Sequence, residues 1–264
     1  MTVRNVTRTM SDTTRLLIVD GTNVVMRCVL GGELSAVQAV PTASGMIERA
    51  SRECEATHLV IALDCPGVPT WRKELYPEYK ANRTLDTSPW IHAAAEAWVS
   101  HWWCEDVFGY EADDIIATIA LRAAARPDTE VFVLSGDSDV LPLTAQGIRV
   151  MKPMQGGQFT TLASNHVCGK YGISSPTALV ELKAMTGESG DNVPGVAGIG
   201  DVRALALLTA HGDLEGVIAA GLRNTCKYSI MVAAAADMAR LSRRLVTLAT
   251  DVPVVKINPA GCAL

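Results

Sequence analysis

No apolar run in this chain of 264 residues approaches the roughly 18 to 20 needed to span a bilayer. The polar start, Met1 to Arg15, also lacks the apolar stretch of a secretory signal and reads as a loose tail. No Cys-x-x-Cys pair occurs. The seven cysteines, Cys28, Cys54, Cys65, Cys104, Cys168, Cys226 and Cys262, are scattered and odd in number, which argues against a disulfide framework and against structural zinc. A cytoplasmic setting with no membrane partner suits this composition. Internal repeats and low-complexity linkers are absent. An excess of positive charge is missing as well: the net charge is -5, at first sight unfavourable for a nucleic-acid partner. The chain does have size and apolar content. With 48% hydrophobic and 19% charged residues it can bury a substantial core, as one large domain or one with a small appendage.

The negative charge is clustered. Tyr110-Glu-Ala-Asp-Asp-Ile-Ile-Ala117 places Glu111, Asp113 and Asp114 within four positions, ahead of the apolar Ile115, Ile116, Ile119 and Leu121. This predicts an acidic first turn on a helix whose later turns are buried. The turn has two readings, carboxylates favoured by the positive end of the helix or carboxylates that bind metal. Other acids bear on that choice. Leu16–Val19 reads as a buried strand ending in Asp20-Gly21, and His58–Leu63 as a second ending in Asp64. Glu130–Leu134 is a third, ending in Ser135-Gly-Asp-Ser-Asp139, and Ile148–Met151 a fourth. From Leu34 to Cys54 the pattern is helical, with Pro41 and Gly45 as candidate breaks.

Strands alternating with helical segments predict an α/β fold, a doubly wound and mostly parallel central sheet that binds ligands beyond the carboxyl ends of its strands. A lone aspartate at such an end is ordinarily a turn or cap residue. Three strand ends sharing the feature predict that Asp20, Asp64, Asp137 and Asp139 converge on one rim, faced by the helix that begins near Glu111. Carboxylates packed this closely raise one another's pKa and destabilise the fold unless cations occupy the site. Oxygen ligands suit hard ions such as Mg2+ or Mn2+. Glu188 and Asp191 form a further acidic pair. Without the nine negative charges of Asp20, Asp64, Glu111, Asp113, Asp114, Asp137, Asp139, Glu188 and Asp191 the net of -5 becomes +4, so an ion-filled pocket would leave a surface compatible with a polyanion.

Two further stretches point to nucleic acid. Thr70–Arg83 interleaves Arg72, Lys73, Lys80 and Arg83 with Trp71, Tyr76 and Tyr79, which suits phosphates and bases of a single strand and equally suits a solvated amphipathic helix. Thr84–Val107 holds four of the five tryptophans, most of them suited to packing. The long interval between Asp64 and Glu111 predicts a lid or arch above the strand ends. Met185–Asp201 spaces Gly195, Gly198 and Gly200 for a tight hairpin between helices, where backbone can approach a phosphate closely or simply form a packing corner. Tyr228–Ala249 reads as one long alanine-rich helix, and Asp251–Leu264 as a short strand or tail.

Taken in order, Ile18-Val-Asp-Gly21, Leu63-Asp64 with Trp71-Arg72, Tyr79-Lys-Ala-Asn-Arg83, Glu111-Ala-Asp-Asp114, Ser135-Gly-Asp-Ser-Asp139 and Gly187–Gly200 resemble the motifs of the 5′-nuclease or flap endonuclease superfamily. The likeness is to its bacterial and phage branch, which includes the 5′-nuclease domain of DNA polymerase I, and covers roughly Leu16 to Leu248. The resemblance implies a tail over 1–14, a nuclease core over 15–180 with an arch at about 70–107, and a helix-two-turn-helix with C-terminal helices over 181–264, packed as one unit.

The resemblance also implies metal-dependent hydrolysis of DNA at a flap, nick or 5′ end by a monomer, leaving a 5′-phosphate and a 3′-hydroxyl. Two or more Mg2+ or Mn2+ ions would be held by Asp20, Asp64, Glu111, Asp113, Asp114, Asp137, Asp139, Glu188 and Asp191, directly or through water. Asp137, Asp139 and Asp191 would favour one ion, and Asp20, Asp64, Glu111 and Asp113 the other. Two ions about 4 Å apart would stabilise the attacking and leaving oxygens of an in-line displacement. Lys80 and Arg83 would bind the scissile phosphate, with Arg27 nearby. Arg72, Tyr79, Gly195, Gly198, Gly200 and Arg203 would contact DNA, Tyr79 by stacking on a base, and a K+ ion would sit at the hairpin. Glu188 stands where an aspartate is usual, Val24 and Met26 where aromatics are usual, Val202 where lysine is frequent, and Thr84–Pro89 replaces a proline-rich run. With no polymerase segment following, a stand-alone nuclease is expected. A degenerate DNA-binding protein and a PIN-like ribonuclease are the rival readings.

Overall fold

The computed structural model describes residues 13–32, 34–254 and 262–264. Most of the expected N-terminal tail, and residues 255–261 of the expected C-terminal strand or tail, lie outside the described residues. Six strands form one sheet: β1 (Thr14–Asp20), β2 (His58–Ala62), β3 (Trp103–Glu105), β4 (Thr129–Leu134), β5 (Arg149–Pro153) and β6 (Phe159–Leu162), in the spatial order β3-β2-β1-β4-β5-β6. All neighbours are parallel except β5 and β6. The doubly wound, mostly parallel sheet is as expected. β3 and β6 carry no sequence signal of their own. β3 has three residues, and Thr160 and Thr161 of β6 are exposed on the sheet's edge.

The central strands are apolar on both faces because helices cover both. Leu16 and Ile18 of β1 join Val60, Val131, Val133 and Val150 on one side, against α5 (Ala112–Ala124). Leu17 and Val19 join Leu59, Ile61, Phe132 and Leu134 on the other, against α1 (Gly21–Gly32) and α2 (Ala36–Glu53). Each such aliphatic side chain removed from water contributes about 1.5–3 kcal/mol. Gly21 is required where β1 passes directly into α1, since a Cβ there would stand 2.6 Å from Ile61 and 2.7 Å from Leu63. α2 runs unbroken through Pro41 and Gly45, because its buried stripe of Ala39, Val40, Ala43, Ile47 and Ala50 holds it on the core.

The expected arch over 70–107 divides into unlike parts. α3 (Trp71–Leu75) and the turns up to Arg83 run over the rim. α4 (Ser88–Trp98) instead packs beside α1 and α2, with Ile91 and Trp98 buried, and β3 then joins the sheet. The tryptophans override an arch because their burial there stabilises more than exposure above the strands.

Behind α5 come α6 (Ser164–Tyr171), α7 (Ala178–Thr186), α8 (Asp201–His211), α9 (Leu214–Leu222), α10 (Lys227–Ala234) and α11 (Ala236–Val246). Their apolar residues continue the α5 side of the core, so the two sequence halves share one interior. The single helix expected over Tyr228–Ala249 is broken at Ala235 (φ -109°, ψ 26°). Alanine permits a continuous helix, but α10 packs on α9 and α11 on α7, and one straight rod cannot satisfy both. No strand occurs over 251–254, and Ala263 bridges to His58. Among the described residues, no single helix is long and apolar enough to cross a membrane. Only α8 and α9 taken together reach that length, and they are bent by 84°.

Candidate active site

The carboxyl edge of the sheet gathers the acids. Asp20 closes β1, Asp64 lies two residues past β2, and Asp137 and Asp139 follow β4. Local hydrogen bonds fix each one. Asp20 accepts from the Ser135 hydroxyl (2.7 Å) and the Asn23 amide (2.9 Å), so two strand ends are joined. Asp64 accepts from the Ala112 amide (2.8 Å) at the start of α5. That bond carries the helix to the rim with Glu111 as its N-cap and Asp113 in its first turn. Asp137 accepts from the Asp139 amide (3.0 Å). Of the two readings of the acidic turn, Glu111 and Asp114 carry the capping one, as a reciprocal box at the start of α5.

Electrostatics identify which acids are neighbours. Burial, with Asp64 and Asp137 alongside, pushes Asp20 up to about 7 despite its hydrogen bonds from Ser135 and Asn23. Burial, and then the charges of Asp20, Asp137 and Asp139, push Asp113 well above the ordinary carboxylate value. Burial also raises Asp64, against the opposing effect of Lys80. Asp139 rises to about 6 by burial, partly offset by Lys183. Asp191 goes the other way: burial would raise it, but Lys80 and Arg83 outweigh that and lower it.

Cations reach into the same rim. Lys80 Nζ contacts Glu111 Oε1 at 2.6 Å and Asp191 Oδ2 at 3.6 Å, and Arg83 pairs with Asp191. The backbone holds them there. Lys80 donates its amide to the Asp191 carbonyl (2.9 Å), and the Asn82 side chain donates to the Ser189 carbonyl (2.8 Å). Asn192 returns a bond to the Glu78 carbonyl (2.7 Å). Lys183, which sequence reasoning missed, donates to Ser138 (3.0 Å) and pairs with Asp139 and Glu188. Its signal was a lysine between Leu182 and the buried pair Ala184-Met185, one turn before Gly187. Arg27 lies exposed on α1 and makes no ion pair among the described residues.

Four expected site residues have other tasks. Asp114 is fully buried and turned into the protein, where Arg72 grips both its oxygens (2.7 and 2.8 Å), so it does not face the rim as a ligand. Arg72, only 2% exposed, is likewise out of reach of DNA. Tyr79 is buried with its hydroxyl 3.0 Å from Glu111 and 3.2 Å from Asp191, so its ring does not stack on a base. Gly195 is buried in the turn against Gly187, while Gly198 and Gly200 are exposed. Arg203 is exposed, donates to the Gly198 carbonyl (2.6 Å) and lies 4.6 Å over the Tyr228 ring. Nothing in sequence spacing distinguishes Asp113 from Asp114. The partner Arg72 does.

Residues 15–172 match the model of a 5′-3′ exonuclease N-terminal, resolvase-like domain, and residues 174–263 that of a 5′-3′ exonuclease C-terminal SAM fold. The chain belongs to the 5′-3′ exonuclease family. A 5′-3′ exonuclease of Streptomyces coelicolor is 31% identical over 243 residues, which cover 83% of this chain and 78% of that one. DNA polymerase I of Rhizobium leguminosarum is 38% identical over 203 residues, covering 75% of this chain and 19% of the relative, so the chain spans about a fifth of that protein's length. A pseudo-enzyme-product complex of bacteriophage T5 flap endonuclease with DNA and metal ions shares the fold, at TM-score 0.76 and 22% identity over 89% of this chain and 90% of that one.

For this member of the 5′-3′ exonuclease family the donor set can be tested against a metal. Among the described residues no three carboxylates are placed to share an ion, and Lys80 and Lys183 pair with Glu111, Asp191, Asp139 and Glu188. Yet Asp113 Oδ1 is buried with no hydrogen-bond partner, and its neighbours are the carboxylates of Asp20, Asp137 and Asp139. An unpartnered buried oxygen among like charges is what a hard divalent cation relieves. The residues fit such an ion.

Proposed function

We propose that this chain is a Mg2+- or Mn2+-dependent 5′-nuclease. It would hydrolyse DNA phosphodiesters at a flap, nick or free 5′ end, by endonucleolytic or 5′-3′ exonucleolytic cuts, as a cytoplasmic monomer. The observation that carries this reading is the rim itself, where the mutually repelling Asp20, Asp113, Asp137 and Asp139 stand beside Glu111 and Asp191, which Lys80 bridges and Arg83 joins at Asp191. A surface of that kind offers cation sites and phosphate ligands side by side.

Asp137, Asp139 and Asp191 would hold one ion, and Asp20, Asp64, Glu111 and Asp113 the other, with Glu188 near the first. The ions would lower the pKa of the attacking water and offset negative charge building on the phosphate and leaving oxygens. The chain's own side chains do the rest. Lys80 and Arg83, released from Glu111 and Asp191, bind the scissile phosphate and oppose its developing charge. Both remain cationic, because the carboxylates beside them outweigh the effect of burial. The Tyr79 hydroxyl orients Glu111 and Asp191. Burial keeps that hydroxyl protonated. Gly198, Gly200 and Arg203, all exposed, would meet a duplex backbone, and a K+ ion would sit at the same hairpin.

The test is cleavage of a 5′-labelled flap duplex with Mg2+ or Mn2+, beside an EDTA control and a matched RNA flap. Metal-dependent release of the DNA flap near the junction supports the reading. An intact substrate that still binds would point to a degenerate binding protein, and preference for the RNA flap to a ribonuclease.

A further inference from the structure

A groove of about 510 Å3 lies between α7 and α11, none of the rim acids lines it, and arginines dominate its wall. Two of them are already neutralised. Arg240 pairs with both oxygens of Glu215 (Nε–Oε1 3.1 Å, Nη2–Oε2 2.6 Å). Arg243 contacts Glu215 at 2.7 Å and Glu181 at 3.7 Å. Glu181 also accepts the Leu214 amide (3.0 Å), so neither carboxylate is left for a third cation.

That third cation is Arg244. It is exposed, and among the described residues no carboxylate lies within ion-pair distance of it. Its guanidinium is held 5.0 Å over the Trp71 ring. Stacking on an indole orients a guanidinium and leaves its N–H edge free, the geometry that meets a phosphate oxygen pair. Exposed Thr177 stands on the opposite wall, at the N-terminus of α7, whose dipole favours an anion.

The groove is also tied to the rim. The Trp71 ring beneath Arg244 donates Nε1–H to Asp114 (3.0 Å), the residue next to Asp113 in the first turn of α5. In a chain of net charge -5, a polyanion can be held only where positive charge is locally unbalanced.

We infer that this groove binds a backbone phosphate of a polynucleotide extending past the cleavage rim, with Arg244 as its main contact. The inference rests on the nuclease reading, because it needs a strand already seated at the rim.

Equilibrium binding of a fluorescein-labelled flap duplex, with Ca2+ in place of Mg2+ to fill the rim and over a salt series, tests it. Arg244→Ala should weaken binding about 5-fold and make the slope of log K against log salt less steep by roughly 0.9, the loss of one phosphate contact. Thr177→Glu puts a negative charge on the other wall at a helix N-terminus, where it does not disturb folding, and should weaken binding similarly. Thermal unfolding of both variants should match the parent. Unchanged affinity and slope in Arg244→Ala would overturn the inference. So would protection of the parent alone by millimolar inorganic phosphate with unchanged DNA affinity, since the groove would then serve a free anion. Metal-dependent cleavage by the unsubstituted protein, scored on the same substrate, separates failure of the groove from failure of the nuclease reading.

Discussion

Arg72 and Asp114 form a buried, two-pronged ion pair, 2% and 0% exposed, that uses every donor of the arginine. Nη1 reaches Asp114 (2.7 Å) and Glu111 (2.8 Å), Nη2 reaches Asp114 (2.8 Å) and the Thr247 carbonyl (3.2 Å), and Nε reaches the Leu245 carbonyl (2.7 Å). Asp114 also accepts from Trp71 Nε1 (3.0 Å) and the Ala249 amide (2.8 Å). The pair thus ties α3, α5 and the end of α11 behind the rim.

Removing the Asp114 charge leaves the buried Arg72 with Glu111 as its one remaining counter-ion, which costs up to about 3–5 kcal/mol. Asp114→Asn should lower stability by that order in urea unfolding. Divalent-ion affinity of the remaining folded protein, titrated at low temperature, should be little changed. A variant that unfolds like the parent but loses its ion affinity would make Asp114 a ligand after all.

Asp113 should behave oppositely. Its charged form is disfavoured by burial and by three neighbouring carboxylates, and one of its oxygens lacks a partner. Asp113→Asn should therefore raise the melting temperature in EDTA, while removing most of the rise that Mg2+ produces and abolishing cleavage. A lower melting temperature in EDTA would mean that the carboxylate is stabilising without an ion.

The pH dependence follows from the same acids. Asp20 is raised to about 7 and Asp139 to about 6, so the folded state holds protons that the unfolded chain releases near pH 4. Their contribution is fully present below about pH 4 and is lost as pH rises through 6 to 7. Asp191 is lowered, so its contribution is lost only on acidification below about pH 4, outside that window. Ion binding needs the ionised forms. The Mg2+-induced rise in melting temperature should be small at pH 5 and larger at pH 8. Equal rises at both would contradict the assignment.

Lys183 acts as the internal counter-ion of Asp139 and Glu188, and it holds the Asp139 pKa down against burial. Lys183→Met should lower the melting temperature at pH 8 in EDTA and enlarge the increase produced by Mg2+. Indifference of both values would leave the lysine a bystander.

Gly195 has φ 61°, and a Cβ there would stand 2.3 Å from the Gly187 nitrogen. Neither backbone can give way cheaply, so Gly195→Ala should cost at least about 2 kcal/mol by the left-handed conformation and the clash together. Gly200 has open space around it and ordinary φ, so Gly200→Ala should fold like the parent. Equal unfolding midpoints for the two variants would show that the turn relaxes.

The amino-acid order by itself determined the sheet and the acidic rim. Apolar runs such as Leu16–Val19 and Glu130–Leu134 must be buried on both faces, and the aspartates that end them must then stand at one edge. It could not place β3 or β6, whose short segments become strands only by pairing with β2 and β5. Nor could it divide Tyr228–Ala249 into two helices, since the break at Ala235 answers to partners on α9 and α7. Within the site, spacing alone treats Asp113 and Asp114 alike, and Arg72 and Lys80 alike. Tertiary structure separates them. One acid and one base meet in the interior, 2.7 Å apart, while Asp113 and Lys80 remain at the rim. The physical reason is that a charge is tolerated inside only beside its opposite, and which charges meet is settled by how the helices dock.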